Sequence, residues 1–113
     1  MSAAANALIQ ASLLGEAVDN GPVAVFVVDE NRRFVAVNRA ACALVGYSRE
    51  DILTLGASDI SEGADRWDEI RRVGKISGTA ALRRKDGSRV DFEYVAGATS
   101  IAGMPVYLSV GAA

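Results

Sequence analysis

The chain contains no histidine and a single cysteine, Cys42, among its 113 residues. Without histidine, Ser–His and Cys–His catalysis and most transition-metal sites lose their usual base or ligand. One cysteine cannot close an internal disulfide, which fits a protein folded in a reducing cytoplasm. An excess of one charge is missing too. Twelve basic residues face 14 acidic ones for a net charge of −2, with the signs interspersed. That excludes the clustered basic surface that nucleic acid or an anionic membrane requires. Arg83, Arg84 and Lys85 form the only basic run and read as a solvated hairpin end. No apolar stretch approaches the roughly 20 residues that cross a bilayer. Met1 to Asn6 is small and polar, without the basic and apolar regions of a secretory signal.

What is present is enough apolar material for one core. Half the residues are hydrophobic, and this length belongs to a single domain. From Ala7 to Val18 the residues Ile9, Leu13, Leu14, Ala17 and Val18 fall on one helical stripe, which Asn20, Gly21 and Pro22 terminate. Periodicity does not say whether that stripe covers the chain's own sheet or a second copy. Val23 to Val28, a polar turn Asp29 to Arg32, and Phe34 to Val37 read as a β-hairpin whose first strand is buried on both faces. Asn38 can cap the apolar helix Arg39 to Val45, which stops at Gly46 and is expected to be buried. Ser48 with Asp51 resembles a capping box for a short helix at Arg49. Gly56 to Gly63 reads as loop with room for one helical turn. Ala64, Trp67, Ile70 and Gly74 then line one face of an amphipathic helix.

The remainder alternates as strand. Ile76, Gly78, Ala80 and Leu82 share one face, as do Val90, Phe92, Tyr94 and Ala96. A two-residue turn at Asp86-Gly87 would set Leu82 against Asp91 and mix the faces. A three-residue turn sets Leu82 against Val90, Ala80 against Phe92 and Gly78 against Tyr94, with Gly87 left-handed. Gly97 to Met104 reads as a loop before a last strand, Pro105 to Val110.

Three stretches taken in order, Val27-Val28-Asp29 through Phe34-Val35-Ala36-Val37-Asn38, then Leu44-Val45-Gly46-Tyr47-Ser48-Arg49-Glu50-Asp51-Ile52, then Arg83-Arg84-Lys85-Asp86-Gly87, resemble the PAS domain family over roughly residues 18 to 110. The resemblance implies an α+β fold with a five-stranded antiparallel sheet and short helices packed on one face. It assigns residues 19–113 to that core and 1–18 to a flanking amphipathic helix. It also implies a sensory or dimerising role in kinases of two-component systems, cyclases, phosphatases or transcription regulators. The family's Asp-Ile-Thr effector-coupling signature does not occur before Gly111-Ala112-Ala113.

The family's cofactors can be weighed against the residues here. Haem is not expected, since its usual histidine is absent and only Met104 or Cys42 could stand in. The photosensory Asn-Cys-Arg-Phe word is replaced by Asp59-Ile60-Ser61-Glu62, and Cys42 falls in the buried helix, where a thiol acts as a small hydrophobe. FAD-binding relatives share Trp67, a following glycine and the Arg-Arg-Lys-Asp-Gly turn. They also carry a second Trp near Lys75 or Ile76 and an Asn where this chain has Leu82, so FAD is not expected either. No metal site is expected. The inward set holds Tyr94 but no carboxylate, with Asp91 and Glu93 on the other face, so no desolvated base supports catalysis.

Gly78, Ala80 and Ala96 on the inward strand faces oppose Ala40, Ala41 and Ala43 on the buried helix. Small residues on facing elements either let them approach closely or leave a void that an apolar guest can fill. The expected pocket is bounded by Trp67, Ile70, Ile76, Gly78, Ala80, Phe92, Tyr94 and Leu108, and would take a small apolar ligand. The alternative is a filled core that only dimerises or docks a partner. The expected assembly is a homodimer through the N-terminal helix, coupled to an effector domain.

Overall fold

The structure is a computed structural model that describes residues 2–63 and 65–113. Its elements run α1 (Ala3–Asp19), β1 (Ala24–Val28), β2 (Phe34–Val37), α2 (Arg39–Val45), α3 (Arg49–Ile52), α4 (Ala57–Ile60), β3 (Ser61–Glu62), α5 (Trp67–Val73), β4 (Lys75–Arg83), β5 (Arg89–Ile101) and β6 (Met104–Ala112). The sheet is antiparallel at every pairing, with strand order β2-β1-β6-β5-β4-β3. It has six strands where five were expected. The addition is the two-residue β3, which pairs Ser61 with Leu82 and Glu62 with Ala81, inside the segment that reads as loop. Ala64, placed by its spacing on the α5 face, lies outside the described residues.

The helices form where capping chemistry permits. Asn38 caps α2 by accepting the Ala41 N–H at 3.0 Å, and Ser48 caps α3 by accepting the Asp51 N–H at 3.1 Å. Both satisfy donors that a helix start leaves orphaned. α5 ends at Gly74, whose left-handed backbone returns an N–H to the Ile70 carbonyl. Ala41 and Val45 of α2 are fully buried, whereas Arg39 and Ala43 face solvent, so that helix is covered on one face only.

The β4–β5 register is Leu82 with Val90, Ala80 with Phe92 and Gly78 with Tyr94, around a turn in which Gly87 has φ 89°. Parity required this, because the alternative would carry Asp91 into the core. The segment Gly97 to Met104, expected as loop, is instead strand. β5 runs on to Ile101 and turns through Ala102 and Gly103, with φ 52° and 78°, into β6. Two consecutive positive φ values make the tight turn that matches strand twist. Residues 98–101 are exposed, so the segment shows no apolar alternation.

The apolar interior is divided. Most of it, including Phe26, Phe34, Val37, Ala41, Val45, Ile52, Ile60, Leu82 and Phe92, packs under α2 to α4. A second group, Ile70, Ile76 and Ala96 with Trp67 and Tyr107, packs under α5. Tyr94 borders both.

Asn38, only 4% exposed, joins the N-terminal part of the chain to this core. Its Oδ1 accepts the N–H groups of Val25 and Ala41, while its Nδ2 donates to the carbonyls of Val18 and Val23 at 2.8 Å each. Replacing it leaves several backbone groups unpaired. Asn38→Ala is expected to lower stability by about 3 kcal/mol, read as a fall in the urea midpoint. Asn38→Asp, which keeps the acceptor but loses both donors, should be destabilised as well.

Candidate functional site

A cavity of about 340 Å³ lies where the two halves of the interior fail to meet. Phe26 and Phe34 from the first hairpin and Ile60 from α4 form one wall, and Trp67 and Ile70 from α5 form the opposite one. The sheet supplies the floor through Ile76, Ala80 and Leu82 of β4, Phe92, Tyr94 and Ala96 of β5, and Tyr107 and Ser109 of β6. The aromatic rings are locked against one another. Phe92 lies edge-on to Phe26 at 5.5 Å and stacks on Tyr94 at 5.9 Å, and Trp67 leans on Tyr107 at 4.5 Å.

Six of the eight residues expected at a pocket are therefore together: Trp67, Ile70, Ile76, Ala80, Phe92 and Tyr94. Two are not in the wall. Leu108 pairs with Gly97 on the opposite sheet face, because the register sets Ser109 beside Ala96 and so turns Tyr107 and Ser109 inward. Gly78 keeps the inward parity but sits beneath an arginine: a Cβ there would lie 2.8 Å from Arg66 Nη1. The alanines of α2 line no part of the cavity, since that helix packs over β1.

The polar rim was not legible as part of a site. Arg66 forks onto Glu69, with Nε and Nη2 donating at 2.8 and 2.9 Å, and its Nη1 donates to the Ser77 carbonyl at 2.6 Å and to the Tyr94 hydroxyl at 3.4 Å. The hydrogen bonds from Arg66 hold the Glu69 carboxyl below the usual carboxylate range, and the contact to Glu69, then that to Tyr94, raises Arg66 above the usual arginine value. A lowered carboxyl pKa contributes above its unfolded value and is lost as pH falls through the folded one, so this latch stays intact at neutral pH. Arg32, in the β1–β2 turn, donates to Asp65 Oδ2 at 3.3 Å and sets its guanidinium carbon 5.6 Å from the Trp67 ring centre. Sequence patterning assigns these arginines to the polar set. Only the fold brings the hairpin turn and the start of α5 to one opening.

Cys42 is half-buried in α2, away from the cavity. Burial pushes its thiol above the ordinary value, a rise that the nearby Arg49 charge partly offsets. Among the described residues no group of three or more His, Cys, Asp or Glu could hold a metal ion, and no helix is long and apolar enough to cross a membrane.

Three measurements check this geometry. Gly78→Ala has only a flexible guanidinium to displace and should change stability by less than about 1 kcal/mol. Gly111→Ala would drive its Cβ into the Glu93 carbonyl of the paired strand, and should cost more than about 2 kcal/mol in urea denaturation. Cys42 should react with iodoacetamide at neutral pH more slowly than a free cysteine, because less of it is thiolate.

The sequence model of the PAS domain family matches residues 22–110. A PAS domain from a two-component sensor histidine kinase superposes with a TM-score of 0.85 at 21% identity, over 94% of this chain and 97% of that one. The PAS domain of an HTR-like protein from Haloarcula marismortui gives 0.81 at 19% identity, over 95% and 93%. An RNA-binding light-oxygen-voltage receptor gives 0.80 at 18% identity, over 99% of this chain and 35% of that one. No curated protein sequence matches the chain.

Proposed function

The chain belongs to the PAS domain family, as the match over residues 22–110 shows, and we propose that it senses a small apolar molecule in the cavity between sheet and helices for a larger signalling protein. The observation that carries this reading is the cleft of about 340 Å³, open to solvent at its polar rim, between two separately packed halves of the interior. Space of that size among mostly apolar side chains exceeds the roughly 150 Å³ that takes a benzene-sized guest. The domain performs no chemistry in this reading, since the carboxylates at the rim are ion-paired to arginines rather than desolvated. It needs no haem, flavin or metal. Its output belongs to an effector domain in the same signalling protein, and the receptor of which this fold spans 35% supports such an arrangement. The expected setting is the cytoplasm.

Indole is a suitable neutral probe. It should raise the melting temperature of the protein, and Ala80→Leu, which places extra carbon in the cavity, should abolish that rise. If the cavity is space, Ala80→Leu should change stability by less than about 1 kcal/mol. In a filled core the same change would cost about 1–3 kcal/mol, and that result, with no response to indole, would leave the second reading.

That second reading is a module that only dimerises or docks a partner, and one observation favours a pairing surface in either case. Leu8, Leu13 and Leu14 of α1 are 72%, 61% and 67% exposed, and the outer sheet face adds Val95 and Val110 at 47% and 36%. Arg83, Arg89 and Asp91 lie farther along that face, and Glu93, two residues before Val95, borders the patch. An apolar helix stripe and an apolar sheet patch on one molecule suit an isologous contact in which the helix covers its counterpart and the partner's sheet. A symmetric homodimer is therefore expected at about 100 μM, which would saturate a micromolar contact. Leu14→Glu should give folded monomer in sedimentation. A wild-type protein that sediments as a monomer would sink this part of the reading.

A further inference from the structure

The cavity has an apolar body and an unequal rim, and the inequality bears on what kind of head group a guest carries. Glu62 is matched by Arg89 at 2.8 Å and Arg83 at 3.7 Å, and Glu69 is forked by Arg66. Asp65 contacts Arg32 and also accepts the Trp67 N–H at 3.2 Å. None of the three acids at the opening is therefore left without a cation or donor, and a cationic guest would have to break an existing pair to find one. Arg66 is nearly saturated in turn, with four contacts for its five N–H donors.

Arg32 differs. Among the described residues its side chain makes one hydrogen bond, at 3.3 Å, to a carboxylate that is itself 53% exposed. Most of its N–H donors have no protein acceptor, yet the side chain is only 27% exposed and lines the cavity beside Trp67. Its backbone is held in place. Arg32 has φ 63°, a conformation uncommon for a residue with a side chain, while its N–H donates to the Asp29 carbonyl at 3.0 Å and its carbonyl accepts the Ala57 N–H at 2.8 Å. Tyr107 and Ser109 also line the space, each carrying a hydroxyl that can donate to a guest. The surplus at this site is of donors.

We propose that the cavity takes a small monocarboxylic acid with an aromatic or branched aliphatic body, its carboxylate on Arg32 and its body among Phe26, Phe34, Ile60 and Phe92. This rests on the cavity being a ligand site, and names the class of ligand. The docking is local. The incoming carboxylate takes Arg32 N–H donors that Asp65 leaves unused, while Asp65 Oδ2 keeps its contact with Arg32 and Asp65 Oδ1 keeps the Trp67 N–H at the start of α5. A hydrogen bond in which both partners are charged, Arg32 and a carboxylate, is stronger than the one an uncharged amide oxygen accepts from the same guanidinium.

Hydrocinnamate, hydrocinnamide and phenylpropylamine share one body and differ in head group, so isothermal titration of the intact chain with each separates the cases. The acid should bind about tenfold tighter than the amide, by the ordinary difference between charged and neutral hydrogen bonds, and the amine should bind most weakly. Arg32→Asn, which removes the charge but tolerates the left-handed backbone, should bring acid and amide to equal affinity. Asp65→Asn keeps the oxygen that accepts from Trp67, removes the competing charge, and should tighten the acid alone. Equal binding of acid and amide by the native chain, or an acid preference that survives Arg32→Asn, overturns the assignment while leaving the cavity a ligand site. If none of the three binds at millimolar concentration and indole is also inert, both readings fall together.

Discussion

Asn38 occupies the point where three segments of the chain must meet, and it is the only buried polar residue among those described. An amide in such a place is tolerable only when its donors and acceptors are used, and here one side chain satisfies backbone groups of α1, of β1 and the strand's approach, and of α2. The end of α1, the entry to β1 and the start of the first covering helix are thus fixed relative to one another by one residue. Ion pairs repeat the connection outside, where Asp19 meets Arg49 and Arg39, and Arg49 Nε reaches the Val37 carbonyl at 3.1 Å. These outer contacts are exposed and worth little individually. The buried amide fixes the joint, and they align it.

From that joint the cavity follows as a matter of side-chain volume. Helices α2 to α4 cover the β1–β2 end of the sheet, where Phe26, Phe34, Val37 and Val45 fill the interval. At the β4–β5 end the small residues Gly78, Ala80 and Ala96 interrupt the larger inward residues Ile76, Leu82, Phe92 and Tyr94, while Trp67 and Ile70 reach in from a single short helix. A ring and an isoleucine cannot fill what three small residues vacate. The interior therefore closes into two groups, with space between them. Arg66, drawn across Gly78 to the Ser77 carbonyl, covers part of what remains.

How much of this was legible depended on whether a local rule had one solution. The Leu82–Val90 register did, because every slip by one residue puts Asp91 inside. The α2 boundaries did, with Asn38 as its start and Gly46 as its stop. The β5–β6 extension did not: Ala98, Thr99, Ser100 and Ile101 pair with β6 but are themselves exposed, so no apolar alternation marks them as strand. Leu108 was misplaced for a related reason. In Val106, Tyr107, Leu108 and Ser109 the apolar character is spread over both parities, so hydrophobicity alone chooses Leu108. The pairing of Ser109 with Ala96 chooses Tyr107 instead. The rim escaped sequence reading altogether, because Arg32 and Trp67 are brought together only by the fold.

The same alternation that hid Leu108 gives the sheet a mechanical property. On β5, Tyr94 and Ala96 border the cavity while Val95 between them faces outward, and on β6 Ser109 borders it beside the outward Val110. Each inward residue is one peptide from an outward one, and Val95 and Val110 are themselves directly paired. A strand is too stiff for one parity to shift without the other, since neighbouring side chains share a pleat. A guest that wedges Tyr94 or Ser109 therefore displaces the very strands that carry the exposed outer patch. That patch and α1 are both exposed apolar surfaces, and α1 is tied back through Asn38 to Val25 on β1, which pairs with Val110. Cavity, outer face and helix are thus joined through two adjacent strands, β1 and β6, so a change in cavity filling has a short covalent and hydrogen-bonded route to the surface on which assembly would depend.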